Sequence, residues 1–168
     1  MKLVFDSTPL IYFGRTNILD KITKLKGEKF IPLSVYKEVV ETGVRKGKED
    51  AYLVKSLVSQ GLFSIEKGQD KIMKEFNEIR RLSIADAETL AVAKNKKAIA
   101  IIDESFLRTI AEAHGIEYAG SVFILFKMQK ENIIKKSDIK KHLDDMIRLG
   151  WRCSTELYAS VLEKIEEL

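Results

Sequence analysis

The chain has little of several residues that usually mark a functional class. It holds one cysteine, Cys153, two prolines, two histidines and one tryptophan. A single cysteine excludes a disulfide framework and a cysteine-based zinc site. His114 and His142 lie far apart and form no ligand-spaced pair, so any bound metal must be held by oxygen. Oxygen ligands point to magnesium or manganese rather than zinc. No apolar run approaches the ~20 residues of a membrane span. The opening Met1-Lys2-Leu3-Val4-Phe5-Asp6 enters a strand-like run with no apolar leader, so the expectation is an intracellular, cytoplasmic protein without membrane contact. Known catalytic motifs are missing too. Ser7 to Phe13 contains no glycine, which excludes a dinucleotide-binding turn after the first strand, and there is no P-loop. Thr8 stands where a haloacid-dehalogenase-like phosphatase would need a second aspartate. No Ser-His-Asp or Cys-His arrangement is evident.

What is present suits one globular domain. At 168 residues, folding can bury roughly 70% of the surface that the unfolded chain exposes. Hydrophobic residues make up 45% and charged residues 32%, an ordinary balance. A net charge of +4 and a pI near 9.0 permit a nucleic-acid partner without demanding one. Lysine, glutamate and isoleucine are plentiful and glutamine scarce, a bias of hyperthermophile proteins.

Two short continuous apolar runs, Leu3-Val4-Phe5 and Ala98-Ile99-Ala100-Ile101-Ile102, read as strands buried on both faces. Weaker strand candidates are Lys29-Phe30-Ile31, Phe63-Ser64-Ile65 and Glu117-Tyr118. Helical spacing appears over Val35 to Glu41, Ala51 to Ser59, Lys71 to Arg81, Phe106 to Ala113 and Ser121 to Gln129. Ser83 caps a further helix with Asp86 three positions on. Ser137 and Ser154 each read as the cap of a C-terminal helix. Thr42 to Lys48, with two glycines and three basic residues, reads as an exposed, mobile loop. Strands alternating with helices imply an α/β fold with a parallel sheet covered on both faces. There is no internal repeat and no low-complexity linker.

Open parallel sheets bind ligands at the carboxyl ends of their strands. Asp6 and Asp103 sit where the two strongest strand runs stop. Asp86 lies in the first turn of one helix and Glu38 near the start of another. Each has a duller explanation: a cap for the aspartates, a solvated helix face for Glu38. Together they map to one end of one sheet. Two carboxylates ~4 Å apart repel by about 4 kcal/mol at an effective dielectric of 20, so such a cluster calls for a proton or a cation.

At these residues the sequence resembles the PIN-domain family, which includes the VapC toxins. Val4-Phe5-Asp6-Ser7-Thr8-Pro9-Leu10-Ile11 is similar to that family's first strand and first metal-binding aspartate. Ile31-Pro32-Leu33-Ser34-Val35-Tyr36-Lys37-Glu38 is similar to the segment that supplies its glutamate. Ser83-Ile84-Ala85-Asp86-Ala87-Glu88-Thr89-Leu90-Ala91 and Ile101-Ile102-Asp103-Glu104-Ser105-Phe106-Leu107-Arg108 resemble its third and fourth acidic motifs. The fourth departs from the usual pattern, with Ile101 and Ile102 where a threonine commonly precedes the aspartate. Gly150-Trp151-Arg152 to Leu162 is similar to the tail of a poorly characterised prokaryotic branch.

The resemblance implies a three-layer α/β/α fold with a central parallel sheet of four or five strands. Residues 1–134 would form the PIN domain and 135–168 a C-terminal helical extension packed on it. It also implies a magnesium- or manganese-dependent endoribonuclease that uses Asp6, Glu38, Asp86 and Asp103 as catalytic and metal-binding residues, with RNA as substrate. A homodimer is the usual assembly, and an antitoxin protein is a partner in many relatives. The alternative is a non-catalytic PIN-fold module with a nucleic-acid-binding or regulatory role. Ser7, Glu88 and Glu104 stand beside the mapped acids as supporting candidates. Arg45, Lys46, Lys48 and Arg108 are candidate phosphate contacts, although a solvated loop is the more ordinary explanation for any one of the first three, and pairing with Glu104 or Glu112 accounts as simply for Arg108.

Overall fold

Five short strands form one sheet, all of whose pairings are parallel, in the order β3-β2-β1-β4-β5. They are β1 (Lys2–Phe5), β2 (Glu28–Pro32), β3 (Ser64–Glu66), β4 (Ile99–Ile101) and β5 (Tyr118–Ala119). A computed structural model describes all 168 residues. The pleat divides the strand side chains between two cores. Leu3, Phe5, Ile31 and Ile101 face one, and Val4, Phe30, Ala100 and Ile102 the other. This is why the runs read as continuously apolar: alternate residues meet different helical layers.

The first layer holds α1 (Ser7–Arg15), α2 (Leu19–Thr23), α5 (Glu49–Ser59), α9 (Ser121–Lys130), α10 (Lys136–Arg148) and α11 (Thr155–Glu166). The second holds α6 (Asp70–Asn77), α7 (Ile84–Lys96) and α8 (Ser105–Ala113). After β2 the chain runs through α3 (Leu33–Tyr36), a π-helical turn over Lys37–Glu41, and α4 (Thr42–Arg45). Ile139, Leu143, Met146, Trp151 and Val161 belong to the first core, so residues 135–168 share the hydrophobic interior of the rest. No helix is long and apolar enough to cross a membrane.

Several local expectations need correction. Ser7-Thr8-Pro9 opens α1, which the sequence did not announce; proline is tolerated there because N–H groups in a first turn have no helical partner. Thr42 to Arg45 is helical rather than loop, and Gly43 is a packing residue. A Cβ on Gly43 would stand 2.5 Å from the Cβ of Ala51. The helix expected over Lys71 to Arg81 ends at Asn77, and Arg81 has a left-handed backbone, φ 78°. Ser137 is not a cap: α10 begins at Lys136, and Asp138 accepts the Lys135 backbone N–H at 3.0 Å.

Candidate active site

The chain goes from β1 to β2 and β3 on one side, then returns to place β4 and β5 on the other. Strand order therefore reverses between β1 and β4, the position where parallel sheets open a crevice at their carboxyl ends. Asp6 directly follows β1 there and extends the ladder by donating its N–H to the Ile101 carbonyl at 3.2 Å. The residue is 6% exposed. Burial, reinforced by the negative charges of Asp86 and Glu38, pushes its carboxyl up from 3.8 to about 7. Hydrogen bonds from the Ser7 backbone and from the Thr89 hydroxyl at 3.3 Å pull the other way without prevailing.

Asp86 and Glu38 reach the same rim differently. Asp86 is the third residue of α7 and closes a capping box, in which Ser83 Oγ accepts from Asp86 N at 3.0 Å and Asp86 Oδ2 accepts from Ser83 N at 2.9 Å. The simple capping explanation is thus correct for one oxygen of Asp86 and leaves the other unassigned. Glu38 lies in the π-helical turn, is exposed and has no hydrogen-bond partner, so it is free to swing. Such turns are frequent at functional sites.

Asp103 lies at the same end of the sheet but is engaged elsewhere. Its Oδ1 accepts from Ser121 N at 2.8 Å, and its Oδ2 from Ser121 Oγ at 2.6 Å and Trp151 Nε1 at 2.9 Å. The Arg108 guanidinium stands 3.7 Å from Oδ1. Because Phe5 pairs with Ile101, alternation sends Asp6 toward α7 and Asp103 toward α9. Sequence reasoning saw both acids at one rim but not this divergence.

The supporting candidates also separate. Glu88 is 4% exposed and accepts from the Ser34 N–H at 2.5 Å and the Gly68 N–H at 2.9 Å, so it clamps α3 to the loop after β3. Glu104 is exposed at the start of α8 without a capping bond. Arg108 is committed internally: its Nε donates to the Ile102 carbonyl at 2.9 Å, and its guanidinium passes where a Cβ on Gly120 would sit. Arg45, Lys46 and Lys48 are exposed, with Arg45 bonded to the Thr42 hydroxyl. Thr89 and Trp151 were the residues missed. Thr89 falls three positions after Asp86 on α7, and a buried indole N–H generally demands a partner.

The donor chemistry fits a hard divalent ion. The side chains that act on this rim are carboxylates and a hydroxyl without histidine or cysteine: Asp6 is buried and feels the negative charges of Asp86 and Glu38, and the buried Ser7 hydroxyl next to it has no partner. No three acidic, histidine or cysteine side chains stand close enough to form a finished ligand set.

Among solved structures, the chain is similar to a domain of a functionally unknown protein from Methanocaldococcus jannaschii. The two are 26% identical over 71% of this chain and 89% of that one, with a TM-score of 0.48. It is also similar in fold to PAE2754 from Pyrobaculum aerophilum, 14% identical over 77% of this chain and 99% of that one, with a TM-score of 0.57. No curated protein matches the chain. The family model described as PIN domain matches residues 2–167. With its all-parallel sheet between two helical layers and its acids at the strand ends, the chain belongs to the PIN-domain family.

Proposed function

We propose that this protein is a divalent-metal-dependent ribonuclease in which Asp6, Glu38 and Asp86 hold the metal and Asp103 supports the site from the neighbouring face. PIN domains are generally nucleases, bind nucleic acid and usually use divalent metals. The observation that carries the reading is Asp6: a buried strand-end carboxyl pushed up to about 7 beside two further acids. An acid whose ionised form is penalised by burial and by like-charged neighbours is a functional candidate, because sites that bind cations or move protons are where such settings are built.

A magnesium or manganese ion, when bound, supplies Lewis acidity that activates water and offsets charge on the phosphate under attack. Asp6 would release its proton on binding. Glu38 would swing in from its exposed turn. The Ser7 hydroxyl would find an acceptor it lacks within the chain, and Asp86 would offer the oxygen that does not cap α7. No protein nucleophile is required. A homodimer and an antitoxin partner belong to the same reading, and size-exclusion chromatography tests the first.

Purified protein with manganese should cleave single-stranded RNA, and Asp6→Asn should abolish cleavage while circular dichroism shows an unchanged fold. Undiminished cleavage by that variant, or by the parent protein in excess chelator, overturns the mechanism. The second reading is a non-catalytic nucleic-acid-binding module. It is favoured by Asp103, whose oxygens already accept three hydrogen bonds. Calorimetry separates the two, since failure to bind millimolar-range manganese favours the module.

A further inference from the structure

Beside Asp103 the C-terminal turn closes a cleft of about 410 Å³ lined by Thr8, Tyr12, Asp103, Glu104, Gly150, Trp151 and Arg152. Its size lies within the range of small-ligand pockets. We infer that this cleft seats one nucleotide of single-stranded RNA, with Arg152 contacting its phosphate and Glu104 accepting from its ribose hydroxyl. The inference rests on the nuclease reading and adds a substrate subsite to it.

Three unspent groups converge on the cleft. The Thr8 hydroxyl, the Tyr12 phenol and the Arg152 guanidinium each line it, and none makes a hydrogen bond or ion pair within the chain. Arg152 is exposed at the mouth. By contrast, Arg108 is held by the Ile102 carbonyl and Asp103, and Arg148 by Asp145. A guanidinium without an acid partner is suited to a phosphate, which it can grip with two parallel N–H bonds.

The turn itself calls for glycine through its backbone. Gly150 has φ 99°, a conformation that favours glycine and lets the chain turn sharply beside Tyr12. Trp151 is buried and anchors the turn through its bond to Asp103. Arg152 is thereby carried to the edge of the strand-end crevice. Glu104 lines the cleft as an exposed, unbonded acceptor. A carboxylate there repels a phosphate and suits the 2′-hydroxyl, the group that distinguishes RNA from DNA.

The test uses the full chain carrying Asp6→Asn, with manganese present, and fluorescein-labelled single-stranded RNA or the DNA of the same sequence, read by anisotropy. Adding Arg152→Ala should weaken RNA binding about tenfold and lower the slope of log affinity against log salt by about one. Adding Glu104→Ala, which removes the acceptor along with the charge, should lower affinity for RNA relative to DNA of the same sequence. Arg148→Ala, in the exposed pair with Asp145, should change neither. Unaltered affinity and salt slope in the Arg152 variant overturn the subsite, as does an equal change of RNA and DNA binding in the Glu104 variant. Cleavage of RNA by the parent chain, assayed alongside, distinguishes failure of the subsite from failure of the nuclease proposal. Cleavage with no Arg152 effect rejects the cleft alone, whereas a parent chain that neither cuts nor binds RNA rejects both.

Discussion

The indole N–H of Trp151 donates to Asp103 Oδ2 at 2.9 Å, tying the turn between α10 and α11 to the end of β4. Both partners are largely withdrawn from solvent: Trp151 is 5% exposed and the Asp103 side chain 11%. The bond therefore fixes an acid at the candidate site through a residue 48 positions away in the chain. Hydrogen bonds to charged groups in such settings contribute more than neutral ones.

Trp151→Phe keeps an aromatic ring in the core but removes the donor. It should cost about 2 kcal/mol, the usual worth of a hydrogen bond to a charged group. At this chain size that corresponds to a fall in Tm of roughly 4–8 °C. Groups that orient carboxylates around a metal typically change metal affinity about 10–100-fold when removed. A manganese titration of the folded variant checks that consequence. Unchanged stability and unchanged affinity would show that the tail merely covers the site.

Stability of the metal-free protein should depend on pH through Asp6. The unfolded carboxyl titrates at 3.8 and the folded one at about 7. Between those values the native chain holds a proton that the unfolded chain has released. The contribution is full below the unfolded value and is lost as pH rises through about 7. Its size is on the order of 4 kcal/mol. Buried His142, held below its ordinary value by desolvation and then by Lys21, acts oppositely and loses stability as pH falls. The measurement is therefore the difference between parent and Asp6→Asn in urea unfolding. The variant should gain relative stability from weakly acidic to mildly alkaline pH, and a parallel pair of curves would contradict the burial of a titrating Asp6.

Manganese binding should release a proton below pH 7 and not above it, because a carboxylate must be deprotonated to ligate. Affinity should rise about tenfold per pH unit up to roughly 7 and then level off. Calorimetry in buffers of different ionisation enthalpy, on either side of neutrality, counts the proton directly.

Glu88→Gln should act on the fold. Each Glu88 oxygen accepts one backbone N–H, from Ser34 and from Gly68. An amide has only one acceptor oxygen, so one buried N–H would face another donor. A loss of about 2–3 kcal/mol is expected by chemical denaturation. Loss of activity with full stability would instead place Glu88 in the chemistry.

The parallel α/β organisation was legible in the residues alone, since Leu3 to Phe5 and Ala98 to Ile102 are apolar on both strand faces and each run ends at an aspartate. Local caps such as Ser83 with Asp86 were legible because a three-residue spacing suffices to bring the partners together. The carboxyl ends of the strands marked Asp6 and Asp103 as neighbours along one rim. The face to which each acid turns emerged only in the folded chain, because parity across parallel strands depends on register, and register is set by the packing of whole layers. Folding likewise made Glu88 a clamp on two backbone amides, spent Arg108 on Asp103 and a carbonyl, and brought the C-terminal tryptophan to an acid beyond β4. Such contacts join residues that are mostly tens of positions apart, whose proximity no local spacing encodes.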